Sequence, residues 1–211
     1  MTAKEYLSFI VEQIHSTVVA TVDEDGLPVT CVIDMMYSDE NGLYFLTARG
    51  KSFYKRLKSR GFIALSGKKG EDTMTCTAVS VRGKVREIGS DLLSLLFEKN
   101  PYMHEIYPTE ESTKVLTVFQ LYEGSGEMFD LSKKPIERDS FTFGGAENKT
   151  SKYFISDNCI GCGTCRNVCP QSCIDLNEGK AVIRQANCLH CGNCLEICPT
   201  GAVLCAYEKV V

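Results

Sequence analysis

The chain has 211 residues, a formal net charge of −4, a hydrophobic share of 44% and 12 cysteines. That hydrophobic share excludes wholesale disorder, and no run nears the roughly 18 apolar residues a membrane helix needs. The acidic balance lacks the basic footprint of a nucleic-acid binder, and the opening MTAKEYLSFIVEQ carries no export signal, so a cytoplasmic protein with no nucleic-acid and no membrane partner is expected.

The first segment reads as a short helix. Thr2 and Glu5 have capping-box spacing, and Leu7, Ile10, Val11 and Ile14 share one helical face. After His15 the pattern turns to strands, over Thr17–Val22, Val29–Tyr37 and Leu43–Thr47. Asp23–Pro28 and Asp39–Gly42 supply the turns between them. A helix with a basic outer face follows at Phe53–Arg60, then strands at Phe62–Ser66, Thr75–Glu87 and Lys114–Tyr122, with a helix at about Asp91–Lys99. Six strands on mostly short connections predict a closed or nearly closed barrel over residues 1–134. Residues 135–152 are polar and aperiodic and read as a linker, with Phe141 and Phe143 docking on one of the domains. Residues 153–211 form a second, small α+β domain.

Cysteine separates the two parts. Only Cys31 and Cys76 occur before residue 159, and the other ten fall between Cys159 and Cys205. That stretch is an internal repeat: 158–173 and 187–202 align at an offset of 29, with seven of 16 pairs identical. Each copy carries C-x2-C-x2-C-x3-C-P, the bacterial ferredoxin run, in which the fourth cysteine serves the other cluster when two runs occur. One 4Fe-4S cluster is therefore assigned to Cys159, Cys162, Cys165 and Cys198, and the other to Cys188, Cys191, Cys194 and Cys169. A disulfide scaffold needs an oxidising compartment, and zinc explains isolated C-x2-C pairs better than twin runs of four. Cys173 and Cys205 remain as small packing residues. His190, inside the second ligand loop, is read as exposed or as an N–H near the cluster.

The first part resembles the pyridoxamine 5′-phosphate oxidase-like FMN-binding split-barrel family. The likeness runs over about residues 5–131, through Val18–Val22, DEDGLPVTCVIDMMYSDENGLYFLT, the Arg49–Ser52 turn and VSVRGKVREI. It implies FMN as cofactor and a homodimer with flavin at the subunit interface. It also implies a ring lined by Val32, Ile33, Asp34 and Met35, a tail reached by Leu46 and Thr47, and a phosphate held by Arg49, Lys51 and Ser52. A helix N-terminus with adjacent cations suits a phosphate. The chain departs from the oxidase in a shorter Arg49–Lys51 loop, in Asp34-Met35-Met36, and in lacking the substrate-binding C-terminus, so oxidation of pyridoxamine phosphate is not expected. Haem, which some relatives bind, is not supported, because neither His15 nor His104 sits in a ligand motif.

The expected function is a flavin/iron–sulfur oxidoreductase. Single electrons would pass between the two clusters and FMN, which would reduce a small-molecule acceptor. A redox partner protein, a ferredoxin or a larger oxidoreductase, would supply or take the electrons. The alternative is an electron-transfer partner docking on a larger enzyme with no substrate of its own; redox or oxygen sensing is a third reading. Catalytic residues are not identified. Tyr102, His104 and Tyr107 lie in a polar stretch that would cap the flavin or decorate the barrel.

Overall fold

The computed structural model of the chain describes residues 1–147 and 151–207. Residues 148–150 of the expected linker and 208–211 of the expected ferredoxin domain lie outside the described residues. The chain forms two compact units. One takes Met1–Lys69, Ala78–Gly126 and Phe141–Ala146, and the other takes Gly70–Thr77, Glu127–Ser140 and the described part of Glu147–Val211.

In the first unit, helix α1 (Ala3–Phe9) starts at the Thr2 and Glu5 capping box. It continues as a π turn over Ile10–Ile14, which His15 closes at φ 61° and ψ −71°. Eight strands then build one sheet: β1 (Ser16–Val22), β2 (Pro28–Asp34), β3 (Tyr37–Asp39), β4 (Gly42–Ala48), β5 (Phe62–Lys69), β6 (Thr77–Gly89), β7 (Leu116–Asp130) and β8 (Glu137–Phe143). Their order is β2-β1-β5-β6-β7-β4-β3, with β8 on β7. The path begins on β2 and ends on β3, which are joined only by Met35 and Met36. The Met35 N–H donates to the His15 carbonyl at 2.8 Å and the Met36 N–H to the Tyr44 carbonyl at 2.9 Å. The two ends of the sheet are thus tied at one joint, and this is what curls it.

Inside, Val19, Phe45, Phe119 and Leu121 are fully buried, and the Phe45 and Phe119 rings stack at 5.9 Å. Helix α2 (Ser52–Arg60) buries Phe53 and Leu57 and turns Lys58 and Arg60 outward, as its basic face predicts. Helices α3 (Leu93–Lys99), α4 (Met103–Ile106) and α5 (Glu110–Thr113) join β6 to β7. Leu96, Phe97 and Met103 from that connection pack on Met36, Tyr44 and Val118. The buried Asn100 amide locks it down by donating to the carbonyls of Met36 at 3.0 Å and Leu96 at 2.8 Å.

The 135–152 stretch is structured where it is described. β8 pairs with a β7 that runs eight residues beyond the expected end at Tyr122, and Phe141 and Phe143 are buried at its far end. The glycines of 123–127 serve close packing. A Cβ at Gly126 would lie 2.5 Å from the Phe141 ring, and one at Gly124 2.6 Å from the Arg82 carbonyl. Phe141 stacks on Tyr6 at 4.5 Å, with the planes 17° apart. Residues 127–140 cluster with the cysteine-rich unit and Phe141–Ala146 with the sheet unit.

The second unit pairs β9 (Ser151–Ile155) with β12 (Val203–Tyr207) and β10 (Ile174–Asn177) with β11 (Lys180–Ile183), both antiparallel. Two single-turn helices, α6 (Thr164–Asn167) and α7 (Asn193–Glu196), follow left-handed Gly163 and Gly192. The repeat extends to the backbone. Gly161 and His190 share a positive φ, as do Ser172 and Gly201, each pair 29 residues apart.

Candidate functional site

The repeat folds so that each run of cysteines completes the other. Cys188, Cys191 and Cys194 line a cavity with Cys169, of about 350 Å³ counted to its open mouth. Cys159, Cys162 and Cys165 line a second, of about 330 Å³, with Cys198. Each therefore holds the four thiols assigned from the spacing, crossed between runs, on otherwise largely apolar walls that include a proline. Among the described residues no three His, Cys, Asp or Glu side chains gather tightly enough for a single ion. The thiols surround a volume, whereas the sulfurs of a tetrahedral zinc site converge on a point.

The donors also suit thiolates. The Cys162 thiol is held below its ordinary value, first by the Thr164 hydroxyl at 3.3 Å and then by the Thr164 amide. At Cys198 burial opposes ionisation, but the amides of Thr200, Val203 and Ala202 and the Thr200 hydroxyl outweigh it and bring the thiol to about 7. Cys173 behaves differently. Burial, and then its neighbour Cys169 at 3.4 Å, push it up to about 12, so it stays a protonated packing residue. Cys205, expected to pack against a cluster, is instead exposed, because the core on β12 ends at Val203. His190 keeps its Nδ1 buried without a partner, its ring edge-on to Tyr153 at 5.7 Å, and burial lowers its pKa.

The residues that the family resemblance assigns to a flavin are distributed more loosely. On β2, Val32 and Asp34 lie on the outward face, Val32 with 67% exposure, while the half-buried Ile33 alternates to the other side. Met35 is fully buried, because it leaves the strand to make the closing joint, so its side chain offers a ligand no surface. Leu46 packs beside the Met36 and Phe97 cluster, and Thr47 turns into the barrel with its hydroxyl buried and unpartnered. Arg49 is engaged. Its guanidinium donates to the Lys114 carbonyl at 2.8 Å and stands 3.9 Å from Glu87. Lys51 and Ser52 are exposed at the start of α2, which has no side-chain cap, so its first amide N–H groups face outward as an anion cradle requires. Arg56 of α2 donates to Thr21 Oγ1 on β1 at 2.7 Å, and β1 pairs with β2.

A polar network that the sequence does not reveal joins the outward end of β2 to α4. The Tyr102 hydroxyl donates to Asp34 Oδ2 at 2.8 Å, and Ser16 Oγ donates to Asp34 Oδ1 at 2.6 Å. His15 Nε2 lies 3.1 Å from the Tyr102 oxygen and 3.5 Å from Asp34. Burial works to raise the Asp34 pKa, but the bonds from Ser16 and Tyr102 and the adjacent His15 outweigh it and hold the carboxylate below its usual range. Burial, reinforced by Asp34, pushes the Tyr102 phenol upward. No motif links residues so far apart in sequence; the positive φ of His15 is a strained conformation of the kind that gathers at functional sites.

A curled antiparallel sheet followed by a unit with twin four-cysteine cavities defines a redox protein of two modules. The chain belongs to the pyridoxamine 5′-phosphate oxidase family, whose model matches residues 3–121. Residues 158–202 match the 4Fe-4S dicluster domain, which implies two 4Fe-4S clusters and an electron-transfer role. Among solved structures, the chain is similar to a NimC/NimA family protein from Clostridium acetobutylicum at 16% identity and TM-score 0.56, covering 66% of this chain and 92% of that one. A general stress protein 26-related protein from the same organism is 18% identical at TM-score 0.50, covering 66% and 95%. PhzG from Burkholderia lata, solved with tetrahydrophenazine-1-carboxylic acid, is 15% identical at TM-score 0.50, covering 66% and 89%. These likenesses show the fold of the first unit. No curated protein matches the chain. Among the described residues, no helix is long and apolar enough to cross a membrane.

Proposed function

We propose that the chain is an FMN-dependent oxidoreductase whose flavin exchanges electrons with two 4Fe-4S clusters of the same protein. The observation that carries this reading is the pair of crossed four-thiol cavities in a chain that also holds an oxidase-family sheet. When bound, the clusters supply single electrons, and FMN converts between single electrons and electron pairs.

The protein's own residues have separable tasks. Cys159, Cys162, Cys165 and Cys198 hold one cluster, and Cys188, Cys191, Cys194 and Cys169 the other. Lys51 and the first amides of α2 bind the FMN phosphate, while Val32 and Asp34, on the outward face of β2, border its ring. His15 and Tyr102, both partly exposed, hold an exchangeable proton at that end of β2 for a small-molecule acceptor, with Asp34 orienting the phenol. A redox partner protein docks at the Cys159 set, where Cys162 is exposed and Ile160 is 67% exposed. That exposed edge also favours the second reading, an electron-transfer partner of a larger enzyme.

The outward face of the sheet supports a homodimer. Val32, Val18 and Ser66 align across β2, β1 and β5, Thr30, Ala20 and Ala64 form the next row, and Pro28 pairs with Val22 beyond it. Val32, Val18 and Val22 are 67%, 47% and 38% exposed, a contiguous apolar surface of the sort that marks an interface.

Anaerobically purified protein tests the reading. Released cofactor identified as FMN, with about eight iron and eight sulfide per chain, is expected, and iron and sulfide without flavin would overturn the flavin half. Turnover of a small acceptor by reduced ferredoxin supports the oxidoreductase over the docking partner. Sedimentation of Val32→Asp, expected as a monomer beside a dimeric parent, tests the interface.

A further inference from the structure

The crossing of the two runs has a consequence for how the clusters differ. Thr164, two residues after Cys162, and Thr200, two residues after Cys198, stand at different places in the repeat. Because Cys198 crosses over, both hydroxyls lie beside thiols of the same set: Thr200 lines the Cys159 cavity, and Thr164 touches Cys162. Thr164 Oγ1 lies 3.3 Å from Cys162 Sγ, and Thr200 Oγ1 lies 3.7 Å from Cys198 Sγ. The positions 29 residues away are Asn193 and Gln171, which line the other cavity and carry no hydroxyl. Gln171 Oε1 is turned away to accept the Ile136 N–H at 3.0 Å. Among the described residues, the side-chain neighbour bonded to a ligand of that set is the Cys173 thiol, 3.4 Å from Cys169 Sγ, and a thiol is a weak donor. Among the described residues the backbone bonds point the same way: Ala202 N–H donates to Cys198 at 3.2 Å and Ala181 N–H to Cys159 at 3.4 Å, against Cys173 N–H to Cys169 at 3.4 Å in the other set. The ion pairs in the unit include Lys180 with Asp157 at 2.7 Å and Arg138 with Glu127 at 2.8 Å, so neither cation acts as an isolated charge.

A reduced cluster carries one more negative charge than an oxidised one, and hydrogen bonds to the ligating sulfurs stabilise that charge. We infer that the two clusters are unequal, and that the one held by Cys159, Cys162, Cys165 and Cys198 has the higher reduction potential because Thr164 and Thr200 donate to its sulfurs. The first electron from a one-electron donor then rests on that cluster, with no bond made or broken and no proton moved, and the Cys188 cluster fills second. Thr164 and Thr200 are positioning residues: they act through Cys162 and Cys198. This inference rests on the two-cluster reading above.

The test is an anaerobic potentiometric titration of the whole protein with dithionite, followed by electron paramagnetic resonance, with iron and sulfide counted on every sample. The parent is expected to show two midpoints. Thr164→Val and Thr200→Val should each make the higher-potential reduction about tenfold less favourable, which for a one-electron couple is about 59 mV, and leave the lower midpoint in place. Thr164→Ser should restore the parent value, and Asn193→Thr should raise the lower midpoint. Equal midpoints in the parent, a shift confined to the lower midpoint, or no shift in proteins that retain all their iron would overturn the inference. A parent with about four iron would instead overturn the two-cluster reading beneath it.

Discussion

The Tyr102 hydroxyl donates to Asp34 Oδ2 at 2.8 Å, joining residues 68 apart in sequence, the first beside α4 and the second at the end of β2. With Ser16 and His15 it holds the Asp34 carboxylate ionised at one end of the outward sheet face. A carboxylate whose folded pKa lies below its unfolded value of about 3.9 stabilises the fold above that pH. That contribution is lost as pH falls through the folded value. Tyr102→Phe removes one of the donors, so the Asp34 pKa should rise toward its ordinary value and acid unfolding should begin at higher pH. The difference in stability between variant and parent should be present at pH 7 and fade in acid, as followed by circular dichroism across a pH series.

Lys51 and Arg49 separate cleanly in this structure although both were phosphate candidates. Lys51→Ala should weaken FMN binding at least about tenfold, the size of one lost charge-assisted hydrogen bond. Arg49→Ala should change it far less, because that guanidinium is committed to the Lys114 carbonyl and lies beside Glu87. Quenching of flavin fluorescence on titration into cofactor-free protein measures both, and equal losses would contradict the assignment.

Crossed ligation makes a prediction about pairs of cysteines. Cys159→Ala with Cys198→Ala removes two ligands of one cluster, so about four iron should remain. Cys188→Ala with Cys198→Ala strikes both clusters and should leave little iron. Uncrossed ligation predicts the reverse order, and iron analysis of the two anaerobic proteins decides between them.

Phe141 ties β8 into the sheet unit through its stack on Tyr6 and its contact with Gly126. Phe141→Ala should cost about 3–5 kcal/mol, read as a lowered thermal transition. In the parent, 137–143 should resist limited proteolysis because its backbone is paired with β7. Ready cleavage there would indicate a free linker.

The cysteine half is legible in the chain as two sets of four thiols, because the spacing of the duplicated run groups the same residues that line each cavity. The sheet half is legible as alternation and turns, so β1, β4, β5 and α2 fall close to their expected positions. Its flavin residues are less so. Alternation along β2 identifies Val32 and Asp34 as one face, but Met35 leaves the strand at a joint set by bonds to His15 and Tyr44. Likewise the expected strand stops at Tyr122, and the glycines just beyond it are explained only by the phenylalanine ring and the strand backbone that press against them.

By itself, then, the sequence determined the two-module composition, the grouping of the cysteines and the order of elements, since each depends on residues within a few positions of one another. Tertiary structure alone decided that Arg49 is committed to the Lys114 carbonyl, that His15, Asp34 and Tyr102 meet, and that Thr164 and Thr200 stand beside thiols of the same set. Those relationships depend on chain closure and on the crossing of a repeat, which bring together side chains that no local pattern connects.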